Sequence, residues 1–162
     1  GWGVSIRYLE EEFPMGTVGA LSLLKERSNL PMIVMNGDLL TKINFQQLLD
    51  FHEETKSAAT MCAREFDFQV PYGVVHFDGH QLLQIEEKPV QKYFVNAGIY
   101  ALNSSALDLI PPKERFDMPQ LLKKMMDIGQ PTSVFPVREY WLDIGRVSDL
   151  EKAKGEFNVI FK

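Results

Sequence analysis

Apolar and polar positions along the chain follow two periods in turn, one typical of strands and the other typical of helices. Short apolar runs bounded by Gly, Pro or charged residues predict strands. Apolar residues three or four positions apart predict amphipathic helices between them. The predicted strands are residues 4–9, 32–35, 59–64, 73–77, 82–85, 93–102 and 132–137. Strands that alternate with helices predict an α/β fold with helices on the faces of a sheet.

Polar residues that suit helix N-termini mark where the helices begin. The predicted starts are Thr17, Asn44, Ser104, Asp117 and Ser148. The helix after Asn44 is expected over residues 45–54, and the helix after Asp117 is expected to end at Gly129. The pair Asp78-Gly79 predicts a hairpin turn between two strands. A hairpin makes the sheet mixed rather than wholly parallel.

The composition narrows the functional classes. The 162 residues are enough for one domain or part of a larger one, and 45% hydrophobic residues are ample for a packed core. A net charge of -5 without a basic stripe argues against nucleic-acid binding. Cys62, the only cysteine, is interpreted as a buried, inert thiol. No apolar run is long enough for a transmembrane helix and no signal peptide is visible, so we expect a cytoplasmic protein without a membrane partner.

The start of the chain is unusual for a complete domain. It opens at Gly1 rather than at Met and enters a predicted strand almost at once. We interpret residues 1–162 as one domain whose N-terminal part is missing. A sheet without its first strands would expose an edge and an apolar face, so self-association into a homo-oligomer is expected.

Two aspartates stand in or beside apolar runs, far apart in sequence. Asp38 follows the strand 32–35 through Asn36-Gly37, and Asp143 lies inside an aromatic and aliphatic stretch. Open α/β sheets bind ligands at the carboxyl ends of their strands. Two carboxylates without a His or Cys set favour a hard ion, Mg²⁺ or Mn²⁺, over zinc. The alternative is that Asp38 is a turn residue and that Asp143 caps the loop before the last helix.

Further candidates lie at other turns and strand ends. Lys88, at the end of a strand, could neutralise a phosphate, or it could be a solvated lysine in an acidic cluster. The Gly16-Thr17 turn could face a base or a phosphate, or it could simply begin a capped helix. Gly73 allows close approach of a ligand or a strand. Asn96, in an apolar strand, needs partners for its amide, which a sugar hydroxyl or neighbouring backbone would provide.

Six motifs in this order make the chain resemble the sugar-1-phosphate nucleotidyltransferases, also called nucleotide-sugar pyrophosphorylases. The nearest branch is the mannose-1-phosphate guanylyltransferase-like one. The motifs are residues 14–21, Asn36-Gly37-Asp38, Pro71-Tyr72-Gly73, Glu86-Glu87-Lys88-Pro89, residues 96–100 and Trp141-Leu142-Asp143-Ile144-Gly145. The resemblance implies a Rossmann-like three-layer α/β/α fold with a mixed sheet. It covers the back two-thirds of the family's domain, and the N-terminal strand and the Gly-x-Gly-Thr-Arg loop that grips the triphosphate are absent.

The resemblance also implies a reaction and a role for each motif. A nucleotidyl group passes from a nucleoside triphosphate to a sugar 1-phosphate, which gives a nucleoside-diphosphate sugar and pyrophosphate. The implied contacts are Gly16 and Thr17 with the nucleobase, Asp38 and Asp143 with the catalytic Mg²⁺, Gly73, Glu87 and Asn96 with sugar hydroxyls, and Lys88 with the sugar phosphate. Because the triphosphate loop is absent, we expect these residues alone to be inactive.

Two other functions stay open. The first is a non-catalytic regulatory relative that binds nucleotide sugars, although such a protein would not need both aspartates and Lys88. The second is a metal-dependent glycosyltransferase. Those enzymes typically bind their metal with Asp-x-Asp, whereas Asn36-Gly37-Asp38 offers a single acid.

Overall fold

The computed structural model describes residues 3–161, which form eight strands, three α-helices and two short 3-10 helices. The strands are β1 (Met32–Met35), β2 (Leu39–Thr41), β3 (Ala59–Gln69), β4 (Val74–Asp78), β5 (Gln81–Glu86), β6 (Val90–Leu102), β7 (Thr132–Val137) and β8 (Trp141–Asp143). The helices are α1 (Phe45–Glu54), α2 (Met118–Asp127) and α3 (Val147–Ile160), with 3-10 helices at Gly19–Leu23 and Ser104–Leu109.

The central sheet is mixed, and helices cover both faces of its buried part. Its strand order is β1-β6-β3-β7, in which β6 runs antiparallel to β1 and β3, while β3 and β7 are parallel. Successive side chains of a strand point to opposite faces. Accordingly, Tyr100 and Leu102 pack in one core with α2, and Ile99 and Ala101 pack in the other with Leu48 of α1. The predicted α/β fold with a mixed sheet and helices on both faces is confirmed.

Two short ribbons extend from this framework. Strands β4 and β5 form the predicted hairpin, with Asp78 paired to Gln81 across a two-residue loop. Strands β2 and β8 pair antiparallel over three residues each. The second ribbon was not predicted, because three residues are too few to display a strand period. This ribbon nevertheless places Asp143 beside the segment that carries Asp38.

Three sequence-based predictions about the ends of the chain are wrong. Residues 4–9 form no strand: Val4 and Tyr8 are 68% and 88% exposed, and this segment has no ladder partner within the described residues. An isolated strand gains neither ladder hydrogen bonds nor a buried face. The helix expected after Thr17 is only the 3-10 helix Gly19–Leu23. Helix α3 begins after Arg146, so Ser148 lies inside the helix instead of capping it.

The predicted caps of α1 and α2 are confirmed. Asn44 Oδ1 accepts hydrogen bonds from the Gln46 and Gln47 N–H groups at 3.0 and 3.2 Å. Asp117 precedes α2 and forms a capping box with Gln120. Cys62 is fully buried, and burial, with a smaller effect of Glu139, raises the pKa of its thiol to about 12. Within residues 3–161, no helix has the length and apolar character needed to cross a bilayer.

Candidate active site

A bulge in β6 is the centre of the site. Met61 of β3 pairs with Tyr100, but Ala63 pairs with Asn96, so the intervening part of β6 has two extra residues. Gly98 occupies this bulge with φ +69°, and a Cβ there would lie 2.8 Å from Asn36 Nδ2. Glycine is therefore required at position 98 both for its backbone conformation and for the close approach of Asn36.

The bulge carbonyls hold the two segments that carry the predicted metal ligands. The Asn36 N–H donates to the Gly98 carbonyl at 2.9 Å, and the Trp141 indole N–H donates to the Ala97 carbonyl at 2.8 Å. The β2–β8 ribbon then pairs Leu39 with Asp143. Asp38 directly precedes β2, and its main-chain carbonyl accepts the Ile144 N–H at 2.9 Å. The structure therefore brings Asp38 and Asp143 together.

The two carboxylates approach one point beside Gly145. A Cβ at that position would lie 3.0 Å from Asp143 Oδ1 and 3.3 Å from Asp38 Oδ2. Asp143 Oδ1 also accepts the Gly145 N–H at 2.8 Å, which orients the carboxylate. Both side chains are exposed, so a ligand can reach them from solvent. Glycine keeps this approach open because it has no side chain.

The donor set fits Mg²⁺ better than a metal that needs an all-protein cage. No group of three or more His, Cys, Asp or Glu side chains in the described part of the chain could hold a metal ion. Mg²⁺ commonly keeps several waters and binds through one or two carboxylates together with substrate phosphates. Asp38 and Asp143 would be the two carboxylates of such a site.

The Gly16-Thr17 turn lies on the Asp38 side of the site. An open groove is lined by Thr17, Met35, Asn36, Gly37 and Asp38. The N–H groups of residues 17–19 are all bonded internally, to the Asp117 carboxylate and to the Phe116 carbonyl. These groups cannot serve as an anion site, which disfavours the phosphate alternative for this turn. Thr17 lies in the groove, but it does not cap its own 3-10 helix.

The Asp143 side of the site contains a cation that the sequence analysis missed. The groove there is lined by Phe66, Val95, Trp141, Leu142, Asp143, Arg146 and Asp149. Arg146 could have been noticed because it follows Gly145 directly.

Arg64 has a different role: its guanidinium lies 6.0 Å from the Trp141 ring centroid and donates to the Glu139 carbonyl at 2.7 Å. These contacts hold Trp141 in place from the side of β3.

The amide of Asn96 finds its partners within its own strand. Its Oδ1 accepts the Gly98 N–H at 2.9 Å, and its Nδ2 lies 2.6 Å from the Tyr100 hydroxyl. Burial raises the pKa of Tyr100 and keeps that hydroxyl protonated. The neighbouring-backbone alternative for Asn96 is therefore observed, and the sugar contact stays a prediction.

The remaining predicted residues form a second cluster at the base of the β4–β5 hairpin. A Cβ on Gly73 would lie 3.0 Å from Glu87 Oε2, so these two residues are adjacent. Lys88 is exposed, with φ +47°, and its carbonyl accepts a 3.4 Å hydrogen bond from Gln69. No hydrogen bond or ion pair within residues 3–161 joins this cluster to the two aspartates. Its roles in substrate binding stay predictions.

Residues 1–158 match the family model described as nucleotidyl transferase. The chain therefore belongs to the nucleotidyl transferase family, and the resemblance to sugar-1-phosphate nucleotidyltransferases is confirmed. A mannose-1-phosphate guanyltransferase of Debaryomyces hansenii is 34% identical over 160 residues, which are 91% of this chain and 43% of the relative. The Saccharomyces cerevisiae protein of that name is 32% identical over 158 residues, 91% of this chain and 43% of the relative.

A third relative is the mannose-1-phosphate guanylyltransferase catalytic subunit beta of Dictyostelium discoideum. It is 31% identical over 160 residues, 94% of this chain and 44% of the relative. The chain thus spans less than half the length of the curated relatives it matches. HddC from Yersinia pseudotuberculosis is a structural neighbour with a TM-score of 0.62 and 24% identity, over 91% of this chain and 64% of that one. Its complex with GMP-PN superposes with a TM-score of 0.63 and 23% identity over the same shares. These two structures support the fold alone.

Proposed function

We propose that the chain forms part of a sugar-1-phosphate nucleotidyltransferase that makes a nucleoside-diphosphate sugar and pyrophosphate. The observation that supports this most strongly is the approach of the Asp38 and Asp143 carboxylates to one open point beside Gly145. The names of the relatives suggest guanosine triphosphate and mannose 1-phosphate as the first substrate pair to test. A cytoplasmic location and self-association remain predictions from the sequence.

The chemistry needs positioning and charge neutralisation more than it needs a base. A phosphate monoester has a second pKa of about 6, so a sugar 1-phosphate is mostly a dianion near neutral pH. One of its oxygens forms the new bond to the α-phosphorus of the nucleotide, and the bond from that phosphorus to the pyrophosphate oxygen breaks. In-line placement of the reactants and compensation of their negative charge lower this barrier.

Asp38 and Asp143 would hold the divalent ion, Mg²⁺ or Mn²⁺. When bound, such an ion neutralises phosphate charge and fixes the two substrates relative to each other. Lys88 would add a point charge for the sugar phosphate. Gly73, Glu87 and Asn96 would contact the sugar hydroxyls, and Gly16 and Thr17 would lie against the nucleobase. Because the N–H groups of residues 17–19 are already bonded, a base is the better ligand for that turn.

The reaction is proposed for the natural protein at its full length. The Gly-x-Gly-Thr-Arg pattern that grips the triphosphate in this family does not occur in the 162 residues. For that reason, we predict that these 162 residues alone do not turn over.

The test is pyrophosphate release by the full-length natural protein across a panel of nucleoside triphosphates and sugar 1-phosphates, with and without Mg²⁺. Release with one pair would support the proposal and identify both substrates. Binding of nucleotide sugars without any release would favour the regulatory relative. Metal-dependent cleavage of a nucleotide sugar in place of pyrophosphate release would favour the glycosyltransferase.

A further inference from the structure

The turn that carries Gly16 and Thr17 is attached to the N-terminus of α2. The Phe116 N–H donates to the Met15 carbonyl at 2.9 Å, and the Phe116 carbonyl accepts the Val18 and Gly19 N–H groups at 3.2 and 3.1 Å. The Met15 and Val18 side chains are buried on either side of the turn. The backbone around Thr17 is therefore fixed by one distant segment of the chain.

Side chains complete this attachment in both directions. Asp117 Oδ1 accepts the Thr17 N–H at 2.9 Å, and Thr17 Oγ1 accepts the Met118 N–H at 2.8 Å. The Thr17 hydroxyl thus satisfies one of the free N–H groups at the start of α2. A Cβ on Gly16 would lie 2.6 Å from Asp117 Oδ1, so only glycine leaves room for this carboxylate.

We propose that Asp117 is a positioning residue for nucleotide binding, which rests on the proposed function. Its carboxylate accepts a hydrogen bond from the Thr17 N–H and thereby fixes the turn that lines the groove beside Asp38. Asp117 belongs to none of the six motifs that carry the family resemblance. It acts through Thr17 rather than by touching the reacting atoms.

A simple capping role for Asp117 is the competing explanation. Asp117 and Gln120 form a capping box, in which Gln120 Oε1 accepts the Asp117 N–H at 2.8 Å. Three variants separate capping from positioning. Asp117→Ser keeps a good helix cap, but its hydroxyl is too short to reach the Thr17 N–H. Asp117→Asn keeps a side-chain oxygen that can cap α2 and accept the Thr17 N–H. Gln120→Ala weakens the cap and leaves the hydrogen bond from Thr17 to Asp117 in place.

The kinetic test measures kcat, both KM values and Tm for the full-length natural protein and these variants. For Asp117→Ser we expect the KM for the nucleoside triphosphate to rise about tenfold, because a hydrogen bond to a charged group is lost. The kcat and the KM for sugar 1-phosphate should change about twofold or less. Asp117→Asn should restore the nucleotide KM, and Gln120→Ala should lower Tm without raising that KM. An unchanged nucleotide KM in Asp117→Ser, or an equal rise in Gln120→Ala, would overturn the proposal.

Amide hydrogen exchange at Thr17 tests the same proposal without enzyme activity. Protection of this amide should fall in Asp117→Ser and persist in Asp117→Asn and Gln120→Ala. Equal protection in wild type and Asp117→Ser would overturn the positioning role. Absence of pyrophosphate release in the wild-type protein would instead overturn the proposed function, and exchange at Thr17 would then decide the attachment of the turn by itself.

Discussion

Asp38 and Asp143 each direct a carboxylate oxygen to the same side of Gly145, within 3.3 Å of the point where a Cβ would stand. The relationship depends on a ribbon of three residues per strand, because Leu39 pairs with Asp143 and the Asp38 carbonyl accepts the Ile144 N–H. Trp141 of β8, and Asn36 in the turn that precedes β2, both donate hydrogen bonds to the Ala97-Gly98 bulge of β6. The bulge thus sets the spacing of the two acids.

Gly145→Ala should weaken the response to Mg²⁺ while the fold is preserved. Its added methyl group would press on both carboxylates, and position 145 does not have the positive φ that makes alanine strained. We expect about a tenfold rise in the Mg²⁺ concentration that gives half-maximal pyrophosphate release, which corresponds to a loss of about 1.4 kcal/mol in binding free energy. Gly155→Ala, in α3 with nothing within 4 Å, is the matched control. An unchanged Mg²⁺ response in Gly145→Ala would argue against an ion beside Gly145.

Gly98→Ala should destabilise the protein and displace Asn36. The new Cβ would collide with Asn36 Nδ2 at 2.8 Å, and alanine would also be held at φ +69°. Strain of this kind costs on the order of 1–3 kcal/mol, and the collision adds to it. Thermal unfolding and pyrophosphate release are the measurements.

Gly129→Ala separates the two causes in that experiment, because Gly129 has φ +74° and nothing within 4 Å. It should lose stability through backbone strain alone and keep its activity. If Gly98→Ala lost no more stability or activity than Gly129→Ala, the bulge would not set the position of Asn36-Gly37-Asp38.

Lys88→Gln should weaken binding of the sugar 1-phosphate. Loss of one charge-assisted hydrogen bond of about 1.5–3 kcal/mol predicts a rise of roughly tenfold or more in the KM for that substrate. The nucleotide KM should change less. Lys92→Gln is the control, because the exposed Lys92 of β6 pairs with Glu65 of β3 at 2.5 Å. Equal effects of the two substitutions would indicate a general loss of positive charge and remove Lys88 from the site.

The Cys62 thiol should resist modification until the protein unfolds. Burial raises its pKa to about 12 from an ordinary value of 9.0, so the reactive thiolate is scarce at pH 8. The pKa of this thiol is higher in the folded protein than in the unfolded chain, so the unfolded chain loses the proton first as the pH rises. The contribution of Cys62 to the free energy of unfolding is therefore complete below pH 9 and is lost as the pH rises towards 12. Labelling by a thiol reagent should follow the denaturant-induced unfolding curve. Rapid labelling of the native protein at pH 8 would contradict the buried assignment.

The parts of the fold that repeat a period over several residues could be predicted from the sequence. The apolar run of β6 and the helix after Asn44 are examples, because burial and capping both leave local patterns. Residues 4–9 have the same strand-like pattern, but a strand also needs a partner, which a local pattern does not reveal. Thr17 was assigned to its own helix because its actual partner, Met118, is distant in sequence.

The candidate site shows the same division. Asp38 and Asp143 could be chosen as residues, since each stands as a lone acid in or beside an apolar run. Their proximity depends on the pairing of Leu39 with Asp143 and on the Trp141 contact with the Ala97 carbonyl, which only the tertiary structure reveals. Asp117 was predicted only as a helix cap, and its contact with Thr17 became visible in the same way.

The most direct test of the central claim is Mg²⁺-dependent pyrophosphate release by the full-length natural protein and its Asp143→Asn variant, from guanosine triphosphate and mannose 1-phosphate. Asp149→Asn, which changes an acid in the same groove, serves as the control. We predict that release by the wild type requires the divalent ion. Asp143→Asn should lose on the order of a hundredfold in kcat, with a smaller change in the KM for the sugar phosphate. Near-wild-type turnover in Asp143→Asn, or release that does not depend on a divalent ion, would contradict the proposal that Asp38 and Asp143 together hold the catalytic metal.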